Sequence, residues 1–307
     1  MTEHLCKFVS SRGLLKSCDF HSSSPKSDCD NDSGYLLLML HKMFDGMSIY
    51  VCSSLLSFFV NNIFPKINKK FTLVSGDSDK CIPTEALSSQ QFNLLTNSQF
   101  LIKWFSQNTR NLENRKLFQL PIGLDYHTIL NNPACNWKRH GEGHLPYEQE
   151  NILIKIKESS KSFHDRIPQI YVNFSLNSST NRIANDRTKS LAEINPALLA
   201  LHLSFIPRTE NWRNISRYTF VLSPFGHGLD CHRTWEALCL GCIPIVKAPL
   251  FNKLFEDLPV LNVNKWSDVN KKLLDETIEI FKTKKFNYNK LLLEHWVSKF
   301  KCIEGVK

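Results

Sequence analysis

Short apolar runs rich in β-branched and aromatic residues alternate along this chain with longer stretches of helical periodicity. In the first half, residues 47–52, 71–75 and 117–120 predict strands, and 100–105 is a further apolar segment. Residues 53–64 predict a helix stopped by Pro65, and 85–96 a second. Residues 35–40 fit either a strand or a helix, and 21–34, rich in Ser, Asp and Asn, reads as a loop. In the second half, 169–174, 201–206, 218–222, 243–246 and 259–263 predict strands. Between and after them, 148–159, 187–194, 209–216, 231–240, 269–281 and 288–300 predict helices. Strands alternating with helices imply parallel, buried sheets. The stretch 131–147 carries Pro133, Gly141, Gly143 and Pro146, and places a boundary between domains 1–145 and 146–307.

The sharpest pattern lies in residues 217–247. An apolar run ends in a turn with Ser223, Pro224, Gly226 and Gly228, and a helix and a second run follow. Asp230 stands where an N-cap is expected, and Gly241 where a helix ends. At about 100° per residue the helix has two faces. Trp235, Leu238, Cys239 and Cys242 share the arc expected to face a sheet, while His232, Arg233 and Glu236 share another beside the glycine turn. A helix N-terminus offers free N–H groups and partial positive charge, which suits a phosphate. Arg233 adds a bidentate grip, and Glu236, one turn deeper, suits a ribose diol. Arg182 and Arg187, from the loop and helix before it, are candidates for the same phosphates. Cys231 replaces the third glycine of the dinucleotide fingerprint, and no Gly-Lys-Ser/Thr follows, so neither that motif nor a P-loop applies.

Ser223-Pro224-Phe225-Gly226, Arg233, Glu236 and Gly241-Cys242-Ile243-Pro244-Ile245 resemble the C-terminal signature of exostosin-like glycosyltransferases. The resemblance is specific over these residues and diffuse elsewhere, and the segment from Asp230 to Glu236 departs from the usual pattern. It implies an α/β GT-B fold: two Rossmann-like domains facing a cleft, with the nucleotide-sugar, a UDP-sugar, on the C-terminal one. It further implies transfer to a glycan or glycoconjugate acceptor, with no cofactor beyond the donor. Ser223, Gly226, Gly228, Asp230, His232, Arg233 and Glu236 would bind that donor.

Asp125 and His127 follow the 117–120 strand and a Pro-Gly turn, where α/β folds build sites, and are the candidates for the catalytic base. Asp77 and Asp79 form an Asp-x-Asp after an earlier strand, the basis of an alternative, metal-dependent GT-A reading. The expectation is a cleft loop without metal. A binding module without turnover is the other alternative.

At 307 residues and 42% hydrophobic, the chain is long and apolar enough for two packed cores. A net charge of +9 favours anionic partners, but no basic arm or zinc-finger spacing points to nucleic acid. The ten cysteines are dispersed, and Cys239 and Cys242 lack a second pair at zinc spacing, so buried thiols are expected. No signal peptide opens the sequence, and the uncharged stretch 46–64 holds too many Ser and Asn for a membrane span. A cytoplasmic setting is the expectation, with the Golgi membrane the family's alternative.

Overall fold

The computed structural model describes residues 2–28, 33–110, 114–131, 144–176, 183, 185–247 and 252–301. They form two parallel sheets. The first joins β1 (Met47–Cys52), β2 (Phe71–Gly76), β3 (Leu101–Ser106) and β4 (Leu117–Gln119) in sequence order. The second contains β5 (Ile167–Val172), β6 (Leu199–Leu201), β7 (Tyr218–Leu222), β8 (Ile243–Lys247) and β9 (Leu261–Val263), in the order β6-β5-β7-β8-β9. Strand order therefore reverses between β5 and β7. In such a sheet the crevice at the carboxyl ends of the two diverging strands is the natural binding position.

β1, at the sheet edge, and β2, inside it, are both buried along their whole length, as strands of a parallel sheet covered on its faces are. One apolar core, with Ile49, Phe59, Leu73 and Trp104, lies under the first sheet. Another, with Ile170, Phe220, Ile245 and Trp266, lies under the second. A third is continuous between the halves and includes Leu14, Phe105, Tyr126, Leu153, Trp235 and Phe300. The C-terminal helix Leu293–Lys301 returns to the first half: Phe300 packs on Phe105, Lys301 pairs with Asp19, and Leu292 bridges Phe8.

Several expected elements shift. Residues 35–40 lie within a helix, Gly34–Lys42. The strand expected at 201–206 is β6, at Leu199–Leu201. The His202 amide makes the last ladder bond to Val172, and Asn173 then holds the His202 carbonyl, turning the chain away. The helix expected at 288–300 is split, because the Leu291 carbonyl accepts from Val9 before the helix restarts at Leu293. Among the described residues no helix is long and apolar enough to cross a membrane. Arg182 lies outside the described residues.

Candidate functional site

β7 delivers the chain into the glycine turn, and the helix His232–Cys239 follows. Its apolar arc is buried as the periodicity requires: Trp235, Leu238, Cys239 and, beyond the helix end, Cys242. Gly241, at φ +76°, ends it in the left-handed region, where an added Cβ would run into the Lys157 ammonium. Cys239 and Cys242 are both buried free thiols.

A cleft of about 290 Å³ opens at the carboxyl ends of β5 and β7 and faces the loops of the first sheet. It brings together Asp125, Arg187, Gly226, Gly228, Asp230, His232, Arg233 and Glu236. Arg187, from the helix Asp186–Glu193, and Arg233 both lie over the Phe174 ring, at 5.7 and 5.0 Å from its centroid. Burial lowers the pKa of each guanidinium; that of Arg187 falls to about 10, helped by the charge of Arg233. Arg233 Nη1 is buried and makes no hydrogen bond among the described residues. Glycine leaves room in this turn for two side chains. A Cβ on Gly226 would come within 2.8 Å of Arg187 Nη2, and one on Gly228 within 2.8 Å of Asn108 Oδ1.

Asp186 fixes this arrangement. Its buried carboxylate accepts from the Phe225 amide in the turn, from Trp266 Nε1 and from Lys247 Nζ. The helix N-terminus differs from the sequence expectation: Cys231, not Asp230, is the N-cap, and its side chain makes no capping bond. Asp230 is turned inward. Its carboxylate accepts from the amides of Ile122 and Cys231 and from Trp235 Nε1, and its own amide donates to Asn108. Burial pushes its pKa up to about 6 against these bonds. Asp230 thus ties the two halves together at the cleft wall, its oxygens held by protein donors. Ser223 is likewise buried, its hydroxyl bonded to Thr234 at 2.7 Å, and does not line the cleft. The turn amides are also partly occupied: Phe225 donates to Asp186 and Gly226 to the Gly228 carbonyl. The amides of His232 and Arg233, in the first helical turn, make no hydrogen bond among the described residues.

Asp125 and His127 meet on the other side of the cleft. His127 Nδ1 lies 3.2 Å from Asp125 Oδ1, although His127 itself is set back from the cleft lining. Burial would raise the Asp125 pKa, but the charges of His127, Arg208 and His232 outweigh it and hold the carboxyl well below the usual range. Arg208, from the helix Arg208–Ile215, is the firm partner. It donates to the Asp125 carboxylate at 3.3 Å, to the Asp125 carbonyl, and to Gln149 at 2.8 Å. Asp125 is thus a buried ion-pair partner of Arg208, with the His127 ring beside it. Burial lowers the His127 pKa more than Asp125 raises it, so the ring is neutral near pH 7. His232 Nδ1 donates to the Gly123 carbonyl at 2.7 Å. That tautomer leaves Nε2 as an acceptor.

The Asp-x-Asp pair diverges. Asp77, at φ +59°, pairs with the buried Arg12 at 2.9 Å, while Asp79 meets His227 of the glycine turn at 3.4 Å. Arg12, Asn108 and Arg208 are key residues that sequence patterns did not single out; each acts through a partner far along the chain. A buried arginine shows no local signature; Arg208 opens the observed helix one residue before the expected start at 209.

Two parallel sheets, one on each side of this cleft, make the chain an α/β protein. No family model matches the chain, and no curated protein does. Solved structures give fold-level likenesses. OtsA in its apo form is 11% identical at a TM-score of 0.42, over 88% of this chain and 77% of that one. A trehalose-6-phosphate structure from E. coli bound with UDP-2-fluoro glucose is 10% identical at 0.40, over 89% and 77%. A glycosyltransferase from Rickettsia africae ESF-5 is 11% identical at 0.40, over 92% and 79%. At such identities the likeness is one of fold alone.

Proposed function

We propose that this chain is a glycosyltransferase that holds the diphosphate of a nucleotide-sugar between Arg187 and Arg233. The observation that carries this is the pair of guanidiniums on one phenylalanine ring, facing the cleft at a topological switch point. Two like charges in a poorly solvated wall raise each other's energy, and an anion between them removes that penalty. The amides of His232 and Arg233, unpaired among the described residues, add the positive end of the helix. Glu236 lines the same cleft one turn deeper, where a ribose diol would meet its carboxylate. Charge that grows on the departing diphosphate would be stabilised by the groups that bind it.

On the acceptor side, His127 is the candidate base. Its Nδ1 lies 3.2 Å from the Asp125 carboxylate; a proton held on that side would leave Nε2 to take one from the acceptor, and its depressed pKa keeps the ring neutral at pH 7. His232 presents Nε2 in the same way and is the candidate contact for the transferred sugar or its acceptor. A UDP-sugar is the donor that the exostosin resemblance suggests, with a glycan or glycoconjugate as acceptor. Asp77 fits this scheme as a structural residue, paired with the buried Arg12, while Asp79 lies on the cleft wall 3.4 Å from His227.

Incubation with a panel of nucleotide-sugars, following nucleotide release and sugar transfer, tests this. Release from one donor is expected, with His127→Ala lowering turnover more than donor affinity. Tight binding with no product from any donor would make the chain a binding module. No binding at all would refute the site.

A further inference from the structure

The two residues after Asn108, Thr109 and Arg110, line a second cavity of about 220 Å³. Its opposite wall is the C-terminal crossing, with Lys290, Trp296 and Lys299, joined by Lys253 from the segment between β8 and β9. Among the described residues every charged side chain lining it is a cation: Arg110, Lys253, Lys290 and Lys299. Lys290 is only 8% exposed. Its Nζ donates to the carbonyls of Lys253 and Glu256, which leaves one of the ammonium's three donors unassigned. Burial lowers the pKa of Lys290 and of Lys299, and the Lys290 charge lowers Lys299 further. Glu256 and Asp257 partly offset this at Lys290, but neither lines the cavity.

The cavity is not simply a basic surface. Phe118, on the edge strand β4, is 39% exposed at its wall, and the Lys299 ammonium sits 4.7 Å from the Trp296 ring. Asn114 accepts the Lys116 and Leu117 amides through Oδ1, so its NH₂ remains a donor. A concave wall of one sign focuses potential, where the same lysines on an open surface would only face water.

We infer that this cavity is a second anion site, separate from the donor cleft, and that it takes a sugar bearing an oxyanion, such as a sugar phosphate. The cations hold the oxyanion, the Phe118 ring covers a C–H face of the sugar, and Asn114 donates to a hydroxyl. The inference does not require that the donor cleft turn over.

Isothermal titration with glucose 6-phosphate, glucose and inorganic phosphate tests it on three forms of the full chain: the parent, Arg233→Met and the double variant Lys253→Glu/Lys299→Glu. Both lysines of the double variant are exposed, so folding should survive, and retained UDP binding would show that it has. Glucose 6-phosphate should bind the parent and Arg233→Met alike, and the double variant about tenfold more weakly or worse. Binding to the parent should weaken with added salt, and free glucose should bind far more weakly. Loss in Arg233→Met with retention in the double variant would return the ligand to the donor cleft and overturn the site. Inorganic phosphate binding as tightly as the sugar phosphate would overturn the sugar-ring part. No binding of any oxyanion to the parent would overturn the whole.

Discussion

Arg233 separates ligand binding from folding more cleanly than any other residue in the cleft. Its guanidinium is largely buried, lies 5.0 Å from the Phe174 centroid, and has an Nη1 without a partner among the described residues. Arg233→Met keeps a long apolar side chain over the ring and removes the charge. For folding, two terms oppose. A buried donor left without a partner costs about 1–3 kcal/mol, so its removal is favourable. Loss of the cation–π contact costs about 0.5–2 kcal/mol. The net change in apo stability should therefore run from a loss of about 1 kcal/mol to a gain of about 2.5 kcal/mol. For binding, nothing offsets the loss. A hydrogen bond to a charged group is worth about 1.5–3 kcal/mol, so UDP should bind roughly 10- to 150-fold more weakly. Calorimetric titration with UDP and denaturant unfolding of the apo protein measure the two quantities on one sample. The reasoning fails if Arg233→Met binds UDP like the parent while losing more than about 2 kcal/mol of stability. That outcome would make the arginine a structural partner, with its unpaired nitrogen unrelated to any anion.

Four further outcomes are expected. Glu236→Gln should weaken nucleotide binding by on the order of 1 kcal/mol with folding almost unchanged, as seen by titration and thermal unfolding; parent-like binding would remove Glu236 from the ribose. His127 has a pKa lowered by burial, so it favours the folded state above the unfolded value of about 6.5, and that contribution is lost as pH falls through the lower folded value. Stability at pH 5 relative to pH 7.5 should therefore drop less in His127→Gln than in the parent, and an identical pH dependence would contradict the buried-neutral assignment. Arg208→Met leaves the Asp125 carboxylate buried without its ion-pair partner and should cost about 3 kcal/mol in urea unfolding; a change under 1 kcal/mol would show the pair to be solvated. Cys231 lines the cleft and is half-buried, so UDP should protect it from slow alkylation while Cys239 and Cys242 react only after unfolding, with mass mapping as the readout; labelling of Cys231 unchanged by UDP would place the nucleotide elsewhere.

What the sequence alone determined is what short-range physics controls. The strand, glycine turn and helix from β7 onward follow from local periodicity and turn chemistry, and the division of His232–Cys239 into an apolar and a polar arc follows from helix geometry. Hence Arg233, Glu236 and His232 were legible as one face, and they do line one cleft. The tertiary structure decided which polar groups remain available once the halves close. Asp230 and Ile122 are 108 residues apart, and their bond removes a carboxylate that local sequence offered to the ligand. Arg208 and Asp125 are 83 residues apart, and their pairing gives a candidate base a fixed cationic partner. Arg187 became the partner of Arg233 only because β5 and β7 lie side by side, which brings Phe174 beneath both. Periodicity assigns a residue to a face of its own element. Whether its charge meets a counter-charge, a carbonyl or an open cleft depends on chain segments that periodicity does not relate, and desolvation makes that difference decisive.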